Sequence, residues 1–260
     1  MSETMGASRT RMLDALNHRQ PDAVPVDFGS TAVTGMHVTC VAALRKHLGL
    51  EDRLVKVCEP YQMLGEIEPD LADALGIDTV PIPAVSTIFG FANEDWKPWR
   101  APWGQEMLVS KHFNTARTPN GDVLIYPCGD TDAPPSAHMP VSGFFFDTII
   151  RQDPVDDAAL DPEDNLEEFQ PLADETIAHY RRHAEALRAS GKAVVSGVGG
   201  TAIGDIALVP APFLRHPKGI RDVAEWYMST LTRQDYLHKI FARQTEIALE
   251  NLARGHAAVG

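Results

Sequence analysis

Paired cysteines, a basic surplus and long apolar runs are all missing from this 260-residue sequence, and each absence excludes something. Cys40, Cys58 and Cys128 are far apart and odd in number, so no disulfide framework is implied and a reducing cytosol suits the chain. Lys and Arg total 23 against 36 Asp and Glu, a formal charge of −13. A surface that tracks phosphates needs a basic excess, which argues against binding to nucleic acid or to anionic membranes. No apolar run reaches the roughly 18 residues of a membrane span. The polar start, residues 1–20, lacks the apolar stretch of a signal peptide, and Met1-Ser2 is not a myristoylation site. The expectation is a cytoplasmic protein. No segment repeats at a fixed period, which argues against a solenoid.

What is present is ordinary globular material, 44% hydrophobic and 23% charged, enough for a sizeable core. Helical spacing appears at 9–16, 38–48, 61–75, 171–189, 219–230 and 234–254. Short apolar runs at 24–28, 77–82 and 192–198, with 143–148 as a fourth candidate, predict buried strands. Helix, glycine and buried run recur in that order at Gly76 and Gly191, the pattern of α/β units feeding a parallel sheet.

The middle breaks this alternation. Residues 93–140 hold Trp96, Trp99, Trp103 and many prolines, and Pro119-Asn120-Gly121 separates the alternating runs 107–113 and 122–126. Asn-Gly between β-prone runs predicts a hairpin, so this stretch reads as an antiparallel β insertion, or lid, on an α/β framework. Residues 153–168 form an acidic connector with eight carboxylates and no Lys or Arg; the glycine of a calcium loop is missing.

RMLDALNHRQPDAVPVDFGSTAVTGMHV (11–38) resembles the start of a uroporphyrinogen decarboxylase superfamily protein. YQMLGEIEPDLADALGID (61–78), VVSGVGGTAIGD (194–205) and the stretch 222–252 agree in order and spacing. The resemblance implies a TIM (β/α)8-type barrel, with residues 1–260 as its N-terminal part and further βα units expected beyond Gly260. True decarboxylases of the family carry an Arg-Gln-Ala-Gly-Arg segment after the first strand that binds substrate carboxylates. The corresponding residues here, Asp27 to Gly35, contain no arginine. Eight substrate carboxylates without those cations would be left unpaired. The resemblance therefore points to the corrinoid-dependent methyltransferase branch.

That branch implies zinc, which activates a thiol, and a methylated corrinoid (methylcobamide) protein as partner. The family's His-x-Cys ligand pair is absent here, so no cofactor is expected within this chain and no metal ligand is assigned. The expected partners are a small methyl donor or acceptor, a corrinoid protein, and a second copy or a complementing C-terminal half. A polycarboxylate decarboxylase is the alternative and would need Arg9, Arg11 and Arg45 to converge on a pocket. A half-barrel inactive without its complement is the other alternative.

Asp27 ends the first strand, where barrel residues face the active-site mouth. It is a candidate base or ligand for a substrate polar group, or else a turn cap. His37, just before a helix, is a candidate general acid/base or a local hydrogen-bonding residue. Thr34 is placed to position a substrate oxygen. Gln62 and Glu66, one turn apart on the helix read at 61–75, face either the mouth or solvent. Tyr126 and the Phe144–Phe146 cluster, Phe145 in particular, would wall a pocket for a flat substrate or pack in the core. His179 and His183 share a helix face but lack a third ligand. The glycines of 197–204 do not match the dinucleotide spacing.

Overall fold

The computed structural model describes residues 6–166, 169–199 and 203–260. Two expectations extend beyond these bounds: the acidic connector runs on through 167–168, and the glycine turn contains 200–202, outside the described residues. Helix α1 (Ala7–Leu16) leads to an extended segment, 24–27, and then to β1 (Met36–His37) and α2 (Val38–His47). In α2, Val38, Val41 and Arg45 are buried at helical spacing, and Gly49 at φ +67° closes the helix as its position predicts.

The helix expected over 61–75 forms only in its second half. Strands β2 (Val57–Glu59) and β3 (Leu64–Gly65) precede α3 (Pro69–Ala74). Pro69 suits the first helical turn but not an interior, and Met63 sits at φ +55°, so the chain turns before the helix starts. Gly65 is required there, because an added Cβ would lie 2.8 Å from a Val55 methyl and 2.9 Å from a Val41 methyl.

Beyond α3 come β4 (Thr79–Pro81), the hairpin β5 (Lys97–Arg100) and β6 (Glu106–Val109), and strands β7 (Thr115–Arg117), β8 (Val123–Ile125), β9 (Ala137–Met139) and β10 (Asp147–Thr148). Then follow α4 (Asp174–Leu187), β11 (Ala193–Val195), α5 (Val223–Thr232) and α6 (Gln234–Val259). The turn at Gly121, φ +93°, does make a hairpin. Its strands are β7 and β8, however, while 107–109 pairs with β5.

The expected (β/α)8 barrel is not formed. Such a barrel requires eight parallel strands, each followed by a helix. Among the described residues the strands make four small sheets: β1-β3-β2, β10-β9-β8-β7 and β5-β6, all antiparallel, and the parallel pair β11-β4. No ring closes. Of the candidate run 143–148 only Asp147 and Thr148 form a strand, and they join an antiparallel edge as β10 instead of a parallel layer. The first expected strand, 24–28, makes no regular ladder, because the Asp78 carboxylate takes the Val26 N–H (2.9 Å) while Asp78 N–H donates to the Val26 carbonyl (2.8 Å).

The stretch read as an insertion supplies much of the largest core. Met107, Val109, Phe113, Val123, Ile125, Ala137 and Met139 pack with Val38, Val41, Leu71, Phe89 and Phe146. Trp99 and Trp103 lie partly buried against the same cluster, so they pack beneath these strands. A second core joins α5 and α6 through Trp226, Leu237, Ile240 and Ile247. Fully buried Asn251 ties α6 to the chain before α4: its side chain accepts from Leu172 N–H (2.7 Å) and donates to the Gln170 and Gly199 carbonyls (3.1 Å each).

Candidate functional site

The segment ending in Asp27 runs beside β4, and the glycine turn after it brings Ser30 back toward the same strand. Thr79, at the start of β4, donates its hydroxyl to the Asp27 carboxylate at 2.6 Å, and Ser30 Oγ donates to Thr79 Oγ1 at 2.6 Å. Ser30 and Thr79 are buried. Burial pushes the Asp27 carboxyl up, but the hydroxyls of Ser30, Thr79 and Thr34 and the Ser30 N–H outweigh it, so Asp27 titrates below its ordinary value. The result is a carboxylate that accepts from the Thr79 hydroxyl, with Ser30 donating to Thr79 behind it and Thr34 beside it. It also accepts from the Ser30 N–H across its own turn, the capping role that a carboxylate before a glycine turn can take.

An ion pair stands one residue away. Asp78, almost wholly buried, meets Arg11 at 2.6 Å, and Arg11 also grips Asp22 at 2.7 Å. The Arg11 hydrogen bonds hold the Asp22 carboxyl down at about 2. These bonds fix α1 against the Asp27 segment, since α1 itself buries no side chain.

His37 lies elsewhere in the local architecture. Its Nδ1 accepts from Thr39 N–H at 3.2 Å and lies 2.8 Å from Thr39 Oγ1, which makes it the N-cap of α2. Its Nε2 lies 2.9 Å from the Phe144 carbonyl. A carbonyl only accepts, so Nε2 carries the proton and the ring is occupied at both nitrogens. Trp103 and Phe144 cover it, with ring centroids 5.5 and 6.0 Å away.

Gln62 and Glu66 do not share a helix face. Gln62 is exposed on the turn between β2 and β3, and Glu66 pairs with Lys56 at 3.1 Å. Tyr126 is buried at the end of β8, and Phe145 is exposed while its neighbour Phe146 enters the core. Thr34 alone among the predicted binding residues reaches Asp27. His179 and His183 bond to the Pro83 and His179 carbonyls, at 2.8 and 2.9 Å.

Two members of the Asp27 cluster and one carboxylate outside it escaped sequence reasoning. Ser30 was legible only as turn material, and Thr79 sits within an apolar run. Glu59 is the third: its carboxylate accepts from Tyr61 and Gln62 N–H at 2.8 Å each, and burial pushes its pKa up against those two bonds.

The donor set does not suit the zinc site implied by the family resemblance. Among the described residues no three His, Cys, Asp or Glu side chains converge, and the three cysteines are free. Desolvation of the sulfur, then the Glu66 and Glu59 charges, push the Cys58 thiol up to about 12, opposite to a thiolate ligand. No described helix is long and apolar enough to cross a membrane. Comparison with protein-family models, with curated proteins and with solved structures finds no match to this chain.

Proposed function

We propose that the protein acts in corrinoid-linked methyl transfer, in the cytoplasm, with Asp27 as the charged anchor of the substrate site. The single observation that carries the reading is the Asp27 carboxylate kept ionised by Ser30, Thr34 and Thr79 in the segment on which the family resemblance rests. Its scaffold is the pairing of β4 with β11 beside residues 24–27, not a closed ring.

A depressed carboxyl is a poor proton acceptor near neutral pH but a good partner for a cationic or hydroxyl-bearing group. Asp27 therefore binds and orients, and the Thr34 and Thr79 hydroxyls fix its direction. A methylated corrinoid partner would supply the methyl group as a cation equivalent, the electron pair of the broken cobalt–carbon bond staying on the corrinoid and the acceptor supplying the pair for the new bond. A thiol acceptor would give its proton to solvent, because both nitrogens of His37 are engaged.

The decarboxylase alternative needs Arg9, Arg11 and Arg45 to converge, and two of the three are already committed to carboxylates of the protein, with Arg9 exposed on α1. Arg11 is engaged by Asp22 and Asp78, and buried Arg45 by Asp70 at 2.9 Å and Glu68 at 3.5 Å. Neither is left for a polycarboxylate.

The test is demethylation of methylcobalamin by the purified chain, with a thiol and separately with tetrahydrofolate as acceptor. Protein-dependent demethylation is expected, falling at least about tenfold in Asp27→Asn, equivalent to about 1.4 kcal/mol of transition-state stabilisation. Absence of demethylation with either acceptor, or full activity in Asp27→Asn, overturns the reading.

A further inference from the structure

Helix α5 carries apolar side chains on two faces. Trp226 is buried in the second core. Ala224, Tyr227, Met228 and Leu231 repeat at i, i+3, i+4 and i+7 on the outer side, where Tyr227 is 60% and Leu231 82% exposed. One such stripe accounts for packing onto the core; a second marks a face built to meet another surface.

Met228 and Leu231 line an open groove of about 920 Å³ at the corner between α5 and α6, together with Leu160, Pro162 and Tyr236. Its Leu160–Pro162 side belongs to the acidic connector. Residues 153–164 hold Asp153, Asp156, Asp157, Asp161, Glu163 and Asp164 without a Lys or Arg. Of the two cations lining the groove, Arg233 is held by Asp157 and Glu225, leaving Lys239 against Asp235 and the rest of the connector.

We propose that this groove docks a helical segment of a partner protein that presents an apolar stripe flanked by lysine and arginine. Leu160, Pro162, Met228, Leu231 and Tyr236 supply apolar burial among polar lining residues, and the acidic connector that forms one side of the groove steers a basic partner. A second copy of this chain fits poorly, because a twofold contact would set one acidic connector against the other in a molecule of charge −13. The inference stands apart from the methyl-transfer reading, since none of the groove residues belongs to the Asp27 cluster.

Fluorescence anisotropy tests it with a synthetic amphipathic helical peptide of about 18 residues, long enough to hold helix. The peptide carries Leu at i, i+3, i+4 and i+7 with Lys flanks; its controls have Glu flanks or the same composition scrambled. The Lys-flanked peptide should bind at least tenfold more tightly than both controls and weaken with added salt. The double variant Met228→Ser/Leu231→Ser should lose at least tenfold while keeping the parental melting curve, because both side chains line the groove and are solvent-exposed. Equal binding of Lys- and Glu-flanked peptides, or binding indifferent to the double variant, overturns the proposal. So does a concentration-dependent dimer in sedimentation that the double variant abolishes, which would assign the face to a second copy.

Discussion

Asp27 and Glu59 are two carboxylates that the fold treats in opposite ways. Asp27 gathers hydroxyl donors and stays ionised, whereas Glu59 receives two backbone N–H bonds but too little to offset its burial. For a carboxyl raised in the folded state, the native protein holds the proton longer than the unfolded chain, so stability falls as pH rises. The Glu59 contribution is full below the ordinary value of 4.5 and is lost as pH climbs through the raised value. Glu59→Gln removes that dependence. Urea denaturation of both proteins from pH 4 to pH 8 should show the variant gaining on the parent as pH rises; a constant or shrinking difference would contradict the burial argument.

At the scale of the element, helix α2 shows how a residue chosen for chemistry can serve structure. The first turn of a helix leaves N–H groups without partners, and His37 takes that of Thr39. His37→Ala should cost about 1 kcal/mol in thermal or chemical denaturation, the usual worth of an N-cap. His37→Ser, which keeps a capping oxygen, should recover most of it. Equal losses in both variants would shift the weight to the Phe144 carbonyl bond and the Trp103 contact. Helix α3 teaches a complementary lesson. Its periodicity begins eight residues before the helix does, because Leu64 and Gly65 spend their apolar character in a sheet and Pro69 sets the start.

For the whole molecule, the question is whether residues 97–139 are a lid or a foundation. Five of their side chains, Met107, Phe113, Val123, Ile125 and Met139, are no more than 2% exposed. Full burial of each is worth about 1.5–3 kcal/mol, so together they match the roughly 5–15 kcal/mol of an entire domain's stability. Replacing 97–139 by a short glycine-serine linker should therefore abolish the cooperative thermal transition and the near-ultraviolet circular dichroism. A lid would leave both intact in the remainder.

Local chemistry was legible in the amino-acid order. Val38, Val41 and Arg45 at helical spacing gave α2, Gly49 and Gly191 gave its end and that of the α4 region, and Asn120-Gly121 gave a turn. Asp27 and Thr34 could be picked out because a carboxylate and a hydroxyl beside a glycine turn are local facts. Pairing was not legible, since apolar runs of similar length suit parallel and antiparallel partners alike. Only the folded chain decided that β6 joins β5, that the parallel sheet expected at 77–82 and 192–198 is reduced among the described residues to the pair β4 and β11, and that Asp78 claims the N–H of Val26. Thr79 is 52 residues from Asp27, and no local pattern announces a hydrogen bond over that distance. Propensity acts between near neighbours along the chain; sheet partners and buried polar contacts are settled by long-range packing, where many orders of short strands compete and the one that buries the most apolar surface with its polar groups bonded prevails.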